Sequence, residues 1–214
     1  MALVVALEAA GHAEPAGRVV GTIAVTDAEG APIAGPIDAI VYVVGFTEPP
    51  GATVTTVKQT GRKFIPDLVA ITVGERVTFP NGDAFFHNVF SQSSARKFDL
   101  GSFKKGEAKH KEFPLLGVVD VYCNIHPEMA ATILVLPNHR HTRTKPDGSY
   151  VIDGVRPGTW KVFAYTRRAT RPTASAVIVQ ASIDAKIDLV VVRGADTAHV
   201  NKFGEQYRDP KTYR

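Results

Sequence analysis

The run Tyr122-Cys123-Asn124-Ile125-His126-Pro127-Glu128-Met129 holds the only cysteine of the chain and its only methionine besides Met1, three residues either side of a histidine. A thiolate, an imidazole and a thioether so close together form a soft-to-borderline donor set, which favours copper over oxygen-seeking magnesium or calcium. Zinc also accepts Cys and His, but a thioether is a poor zinc ligand. A Cys-His nucleophile pair would need a third, orienting residue and oxyanion donors; neither is evident, so the chain is not expected to be an enzyme. The trigonal two-His, one-Cys arrangement with a weak axial Met that defines blue copper needs a second histidine. His87 is the best candidate, in Phe85-Phe86-His87-Asn88-Val89-Phe90-Ser91. Phe85, Phe86 and Phe90 would supply an apolar collar that limits solvent access, and Asn88 would brace the ligand loop by hydrogen bonds.

Such donors must be held by strand ends. Nearly every apolar segment is short, rich in Val, Ile, Thr or aromatic residues, and bounded by turn residues, with 18 Gly and 14 Pro in the 214 residues. Strands are predicted over 18–26, 39–44, 53–58, 69–73, 76–79, 88–91, 118–122, 132–136, 149–152, 160–165, 175–180 and 186–192. Close spacing without a convincing amphipathic helix predicts an all-β protein built of β-sandwiches. The Cys123–Met129 run then falls in a loop at a sandwich rim, where three side chains can turn inward that a strand would alternate.

With 44% hydrophobic and 21% charged residues the composition is globular, which excludes collagen and disorder. No apolar run approaches the ~20 residues of a membrane helix. One cysteine permits no internal disulfide, so burial must hold the fold.

The stretch Thr53 to Pro137 resembles a cupredoxin of the plastocyanin and amicyanin group. The matching residues are Phe64-Ile65-Pro66, Ile71 to Phe79, Asn81, His87-Asn88-Val89 and Cys123-x-x-His126-Pro127-x-Met129, the short loop being most similar to amicyanin. The resemblance implies a Greek-key β-sandwich with one mononuclear type 1 copper held by His87, Cys123, His126 and Met129, and single-electron transfer between partners. It also implies electron exit at His126 through an apolar patch, to which Pro127, Ala130, Phe85 or Phe86 would contribute and against which a redox partner would dock. Periplasmic or other export follows from the same resemblance. The rival reading is a protein that stores, delivers or senses copper without exchanging electrons.

Gly21 to Gly35 with Ile40-Val41-Tyr42-Val43 resembles the opening of a carboxypeptidase-regulatory-like, or transthyretin-like, sandwich whose continuation appears only after residue 143, through Pro146-Asp147-Gly148 and Val155-Arg156-Pro157-Gly158 to Trp160. The expected organisation is therefore a leader over 1–16, a first part of this host over 17–48, the cupredoxin over 52–137, the second part of the host over 138–194, and a tail over 195–214. A plain tandem is the alternative to nesting. Insertion is tolerated when the guest's ends lie close together at the surface. The leader resembles a truncated signal peptide, since Glu8 breaks its apolar run and no basic residue precedes it. A disordered or appended leader is the other reading.

The net charge of +4 divides into +7 for residues 140–214 and −3 for the rest. Only Arg167, Arg168 and Arg171 cluster, and no aromatic-interleaved basic motif accompanies them. That favours a solvated face, then an acidic partner, over nucleic acid, which is not an expected partner. His139 and His141 read as exposed side chains of a basic linker or, less simply, a second metal site, and His12, His110 and His199 as residues in polar surroundings. Trp160 fits a sandwich core. The tail, with Phe203, Tyr207 and Tyr213, either packs back on the body or presents a peptide to a partner. No motif specifies the redox partner or the oligomeric state.

Overall fold

The computed structural model describes residues 16–195 and 199–207. The expected leader, Ala16 excepted, together with His12 and Tyr213, lies outside the described residues. The chain is all-β. In chain order the strands are β1 (Gly17–Thr26), β2 (Ala39–Val44), β3 (Thr55–Thr56), β4 (Lys58–Thr60), β5 (Lys63–Ile65), β6 (Leu68–Thr72), β7 (Arg76–Pro80), β8 (His87–Ser91), β9 (Phe98–Phe103), β10 (Ala108–Glu112), β11 (Gly117–Tyr122), β12 (Ala130–Leu136), β13 (His141–Arg143), β14 (Ser149–Val155), β15 (Gly158–Thr166), β16 (Thr173–Val179), β17 (Asp184–Lys186) and β18 (Leu189–Val192).

Strand pairing divides them into two groups. The inner strands form a five-stranded sheet, β6-β12-β11-β8-β9, facing a smaller one, β10-β7-β3, with β4 and β5 as a hairpin beside them. The outer strands form β13-β2-β15-β16 and a second sheet in which β1 pairs with β14, β17 and β18. Thus β1 pairs antiparallel with β14, and β2 with β15, across the whole inner group. The chain leaves the outer strands after β2 and comes back at β13. The two crossings touch: the Glu48 amide donates to the Pro137 carbonyl at 2.9 Å, and the Asn138 side chain donates to the carbonyls of Val43 and Phe46.

Alternation of side chains across a strand explains how three cores arise. On β12, Ala131, Ile133 and Val135 face the inner core with Val119, Val121, Phe79 and Phe113. Leu134 and Leu136 face the other way and meet Ile40, Tyr42 and Tyr165 of the outer strands. Strand β2 mirrors this, sending Ala39, Val41 and Val43 into the outer core and Ile40 and Tyr42 into the shared layer. Both strands are therefore buried on two faces, which is why they read as nearly continuous apolar runs.

Several strands depart from the sequence reading. The predicted strand over 53–58 is broken into β3 and the start of β4, and the one over 186–192 is split where the Ile187 amide turns to the Val20 carbonyl. Strands β5, β9, β10 and β13 were not expected. β10, Ala-Lys-His-Lys-Glu, alternates between exposed and half-buried and carries no apolar signal except Ala108. β13 corrects the reading of His141 as an exposed linker side chain, whereas His139, just ahead of the strand, is exposed as expected. His141 begins a strand paired to Tyr42, and burial first, then repulsion from His139, lowers its pKa. His139 is held at both ring nitrogens, Nδ1 by Thr72 Oγ1 and Nε2 by the Pro49 carbonyl, each at 2.8 Å. Trp160 is half-buried against the outer core, with its indole N–H donated to the Arg156 carbonyl.

Candidate metal centre

Strand β8 enters the sheet at His87, and all five of its residues are buried, so its first side chain is delivered to the rim under cover. On the other side of the rim, β11 ends at Tyr122 and β12 begins at Ala130. The intervening loop is closed by two backbone bonds, from the Cys123 amide to the Met129 carbonyl and from the Met129 amide to the His126 carbonyl. This turn places Cys123 and Met129 side by side at the base and lifts Ile125, Pro127 and Glu128 outward, where they are exposed.

Three donor atoms converge. His87 Nδ1 and His126 Nδ1 lie 3.1 Å apart; Cys123 Sγ is 3.9 Å from the first and 3.7 Å from the second. A metal bound at about 2.0–2.1 Å to nitrogen and about 2.3 Å to sulfur sets its donors roughly 3.4–3.8 Å apart, so the triangle already has the size of a first coordination shell. Among the described residues this is the one group of His, Cys, Asp or Glu donors so gathered. His87 and Cys123 are fully buried, and His126 is half-buried. Met129 is fully buried in the same core cluster as Cys123.

The surroundings fix these donors. His87 Nε2 donates to Asp83 Oδ2 at 2.8 Å, which selects the tautomer with Nδ1 turned to Cys123 and His126. Asp83 is itself gripped by the amides of Gly61 and Arg62. Burial opposes its charge, but the hydrogen bond from His87 and those two amides outweigh burial and hold its carboxyl below the usual range. The Ile125 amide points at Cys123 Sγ at 3.5 Å. Burial, then repulsion from His87, lowers the pKa of His126 and so favours the neutral imidazole that a metal requires. Asn88 ties the two segments together, accepting from the Asn124 amide at 3.3 Å and donating to Asp99 at 2.6 Å.

The aromatic collar differs from the expectation. Phe85 packs against both imidazoles, with ring centroids 5.1 Å from His87 and 5.3 Å from His126. Phe86 is 56% exposed and stacks on neither imidazole. Phe90 is buried against Tyr122 rather than against the donors. Pro127 lies on the surface beside His126, on the wall of a 710 Å³ cavity that also includes Ile125, Phe203 and Tyr207.

Sequence reasoning missed Asp83; of the two readings of the tail, packing back on the body is the one observed, with the ligand loop as its target. The spacing of four between Asp83 and His87 was a usable signal. His199, read as lying in polar surroundings, stacks on Tyr122 with centroids 4.1 Å apart, and the Tyr207 hydroxyl donates to the Cys123 carbonyl. Phe203, by contrast, is 69% exposed.

No family model and no curated protein matches the chain. Solved structures similar to it include a reduced amicyanin variant (23% identity over 44% of this chain and 97% of that one, TM-score 0.37) and a purple cupredoxin from Nitrosopumilus maritimus (24% identity, 38% and 98% covered, TM-score 0.35). A second reduced amicyanin variant gives 25% identity, 44% and 98% covered, and a TM-score of 0.36. The structures it is similar to are thus cupredoxin β-sandwiches. At these scores the site has to be argued from its own geometry. The His87, Cys123 and His126 group fits copper by donor softness and by spacing. Among the described residues no helix is long and apolar enough to cross a membrane.

Proposed function

We propose that this chain is a type 1 copper protein that carries single electrons, with one copper held by His87, Cys123, His126 and Met129. The reading rests on one observation: two imidazole nitrogens and one sulfur, brought from segments 36 residues apart, face a common point at 3.1–3.9 Å. We further propose that the inner strands are a cupredoxin unit inserted into a transthyretin-like host formed by the outer strands, and that the protein works outside the cytosol, in a periplasm or equivalent compartment.

When bound, copper supplies a one-electron couple between Cu(I) and Cu(II) in a geometry that suits both states. The protein's residues do the rest. Asp83 holds the His87 ring so that Nδ1 faces inward, and the Ile125 amide, aimed at Cys123 Sγ, orients the sulfur. The apolar cluster that buries Cys123 and Met129 keeps water from the sulfur side. His126 is the donor nearest the surface, at the wall of the cavity, and is the residue through which an electron would leave toward a docked redox partner.

Reconstitution with Cu(II), followed by visible and EPR spectra and by cycles of reduction and reoxidation, tests the reading. An intense thiolate-to-copper band that bleaches and returns, and that is lost in Cys123→Ser, is the expected result. Tight Cu(I) binding with no such band would make the protein a copper carrier instead, and failure to bind any metal would sink both.

A further inference from the structure

The C-terminal segment 199–207 returns to the ligand loop and engages Tyr122, the last residue of β11, and the first two residues of the loop. His199 lies flat on the ring of Tyr122, at an interplanar angle of 21°. Tyr207 donates its hydroxyl to the Cys123 carbonyl at 2.6 Å, and its ring meets His199 edge-on. The Lys202 amide donates to Asn124 Oδ1 at 2.9 Å. On the body side, Gln92 donates to the Lys202 carbonyl at 3.1 Å.

Lys202 also closes a ring of hydrogen bonds. Its ammonium donates to Asp99 Oδ2 at 2.7 Å; Asp99 Oδ1 accepts from Asn88; Asn88 accepts from the Asn124 amide; and Asn124 accepts from the Lys202 amide. Asn88 follows His87 in the chain, and Asn124 follows Cys123. The circuit therefore links the residue that follows one donor to the residue that follows the other, and two of its four bonds come from the tail.

We infer that the segment 199–207 is a strap, and that Tyr207 and Lys202 are positioning residues for the metal donors. Tyr207 fixes the peptide plane of Cys123, and with it the direction of the Cα–Cβ bond that carries the sulfur, while Lys202 fixes the distance between the Cys123 and His87 segments. The inference rests on the copper reading for its purpose, but not for its geometry. It also assigns the tail a partner within its own chain: residues 199–207 are committed to the loop, and Phe203 is left to shape the cavity wall beside His126.

The test uses the full-length chain and the variants Tyr207→Phe, which keeps the ring and removes the hydroxyl, and Lys202→Met. In metal-free protein, alkylation of Cys123 by iodoacetamide at one fixed pH and amide exchange across residues 122–129 are measured. In Cu(II)-loaded protein, the position of the thiolate band and the EPR hyperfine splitting are measured. Loss of one such hydrogen bond raises the open population roughly tenfold, so alkylation should accelerate by about that factor in each variant. The band should also shift, which a purely structural contact would not cause. Unchanged alkylation, or an unmoved band, in both variants overturns the inference. If Tyr207→Phe fails to fold, Lys202→Met decides. Should the parent protein take up no Cu(II), the copper reading fails on its own, and alkylation and exchange alone decide the strap.

Discussion

His87 and Asp83 form a pair in which a fully buried imidazole donates Nε2–H to a carboxylate four residues earlier, at 2.8 Å, with that carboxylate pinned by the amides of Gly61 and Arg62. The turn between β7 and β8 therefore does more than reverse the chain. It delivers an anion behind the histidine, on the side away from Cys123, and so determines which ring nitrogen is offered to a metal. Carboxylates in this position raise the basicity of a ligating imidazole and hold its rotation.

Replacing the anion by an amide of the same shape separates these effects from packing. Asp83→Asn should weaken copper affinity by about 10–100-fold, the usual consequence of losing such a partner. Competition with a chelator of known affinity, on protein shown by circular dichroism to be folded, measures it. Equal affinity in parent and variant would mean that the ring is oriented by burial alone.

The shared layer between inner and outer strands makes a second claim testable. Leu134 is fully buried on β12 yet packs with Ile40, Tyr42 and Tyr165 of the outer strands. Leu134→Ala should cost about 2–5 kcal/mol, through lost transfer energy and the cavity left behind. Trp160, the one tryptophan, belongs to the outer strand β15 and serves as a distant reporter. Its fluorescence should report unfolding at a lower urea midpoint in the variant; an unmoved midpoint would show that the inner and outer strands melt independently.

What could be read from the sequence was whatever lies close together along the chain. Cys123, His126 and Met129 share a seven-residue run, so their donor chemistry was visible from composition and spacing alone. β2 and β12 announced themselves because both faces are buried. β9 and β10 did not, since Gly101 interrupts the first and Lys109, His110 and Lys111 fill the second, at positions where only the backbone ladder matters. The roles of Tyr207 and Lys202 depend on contacts made across 84 and 78 residues, and neither side chain carries a local signature of its destination. Phe85 and Phe86 look alike in sequence; both precede β8, and the path of the turn leading into it, not a strand pattern, puts Phe85 against the imidazoles.

That difference between neighbouring phenylalanines gives a third prediction. Phe86 is exposed near the rim but touches neither histidine, so Phe86→Asp should leave the copper spectrum unchanged while placing charge in the surface patch. Electron self-exchange between reduced and oxidised protein, read from NMR line broadening, brings two copies of that patch together. Like charges facing each other across such a contact should slow it by at least about tenfold. An unchanged rate would remove Phe86 from the electron-exit surface.

The last prediction concerns acid. His141, at the start of β13, has its pKa lowered, mainly by burial and next by repulsion from His139, with Glu75 opposing in part. The fold therefore prefers the neutral ring. Well above the unfolded value of about 6.5 both states are neutral and His141 exerts no effect. As pH falls through that value the unfolded chain takes up a proton that the native state refuses, so stability is lost on acidification and keeps falling until the lowered native pKa is reached. His126 and His199 are shifted the same way and act with the same sign. Urea midpoints of the metal-free protein should accordingly drop between pH 7.5 and pH 5, and His141→Gln, which cannot titrate, should show a smaller drop than the parent. Equal drops in the two proteins would place the acid sensitivity at other groups and leave His141 as a packed residue whose protonation the fold tolerates.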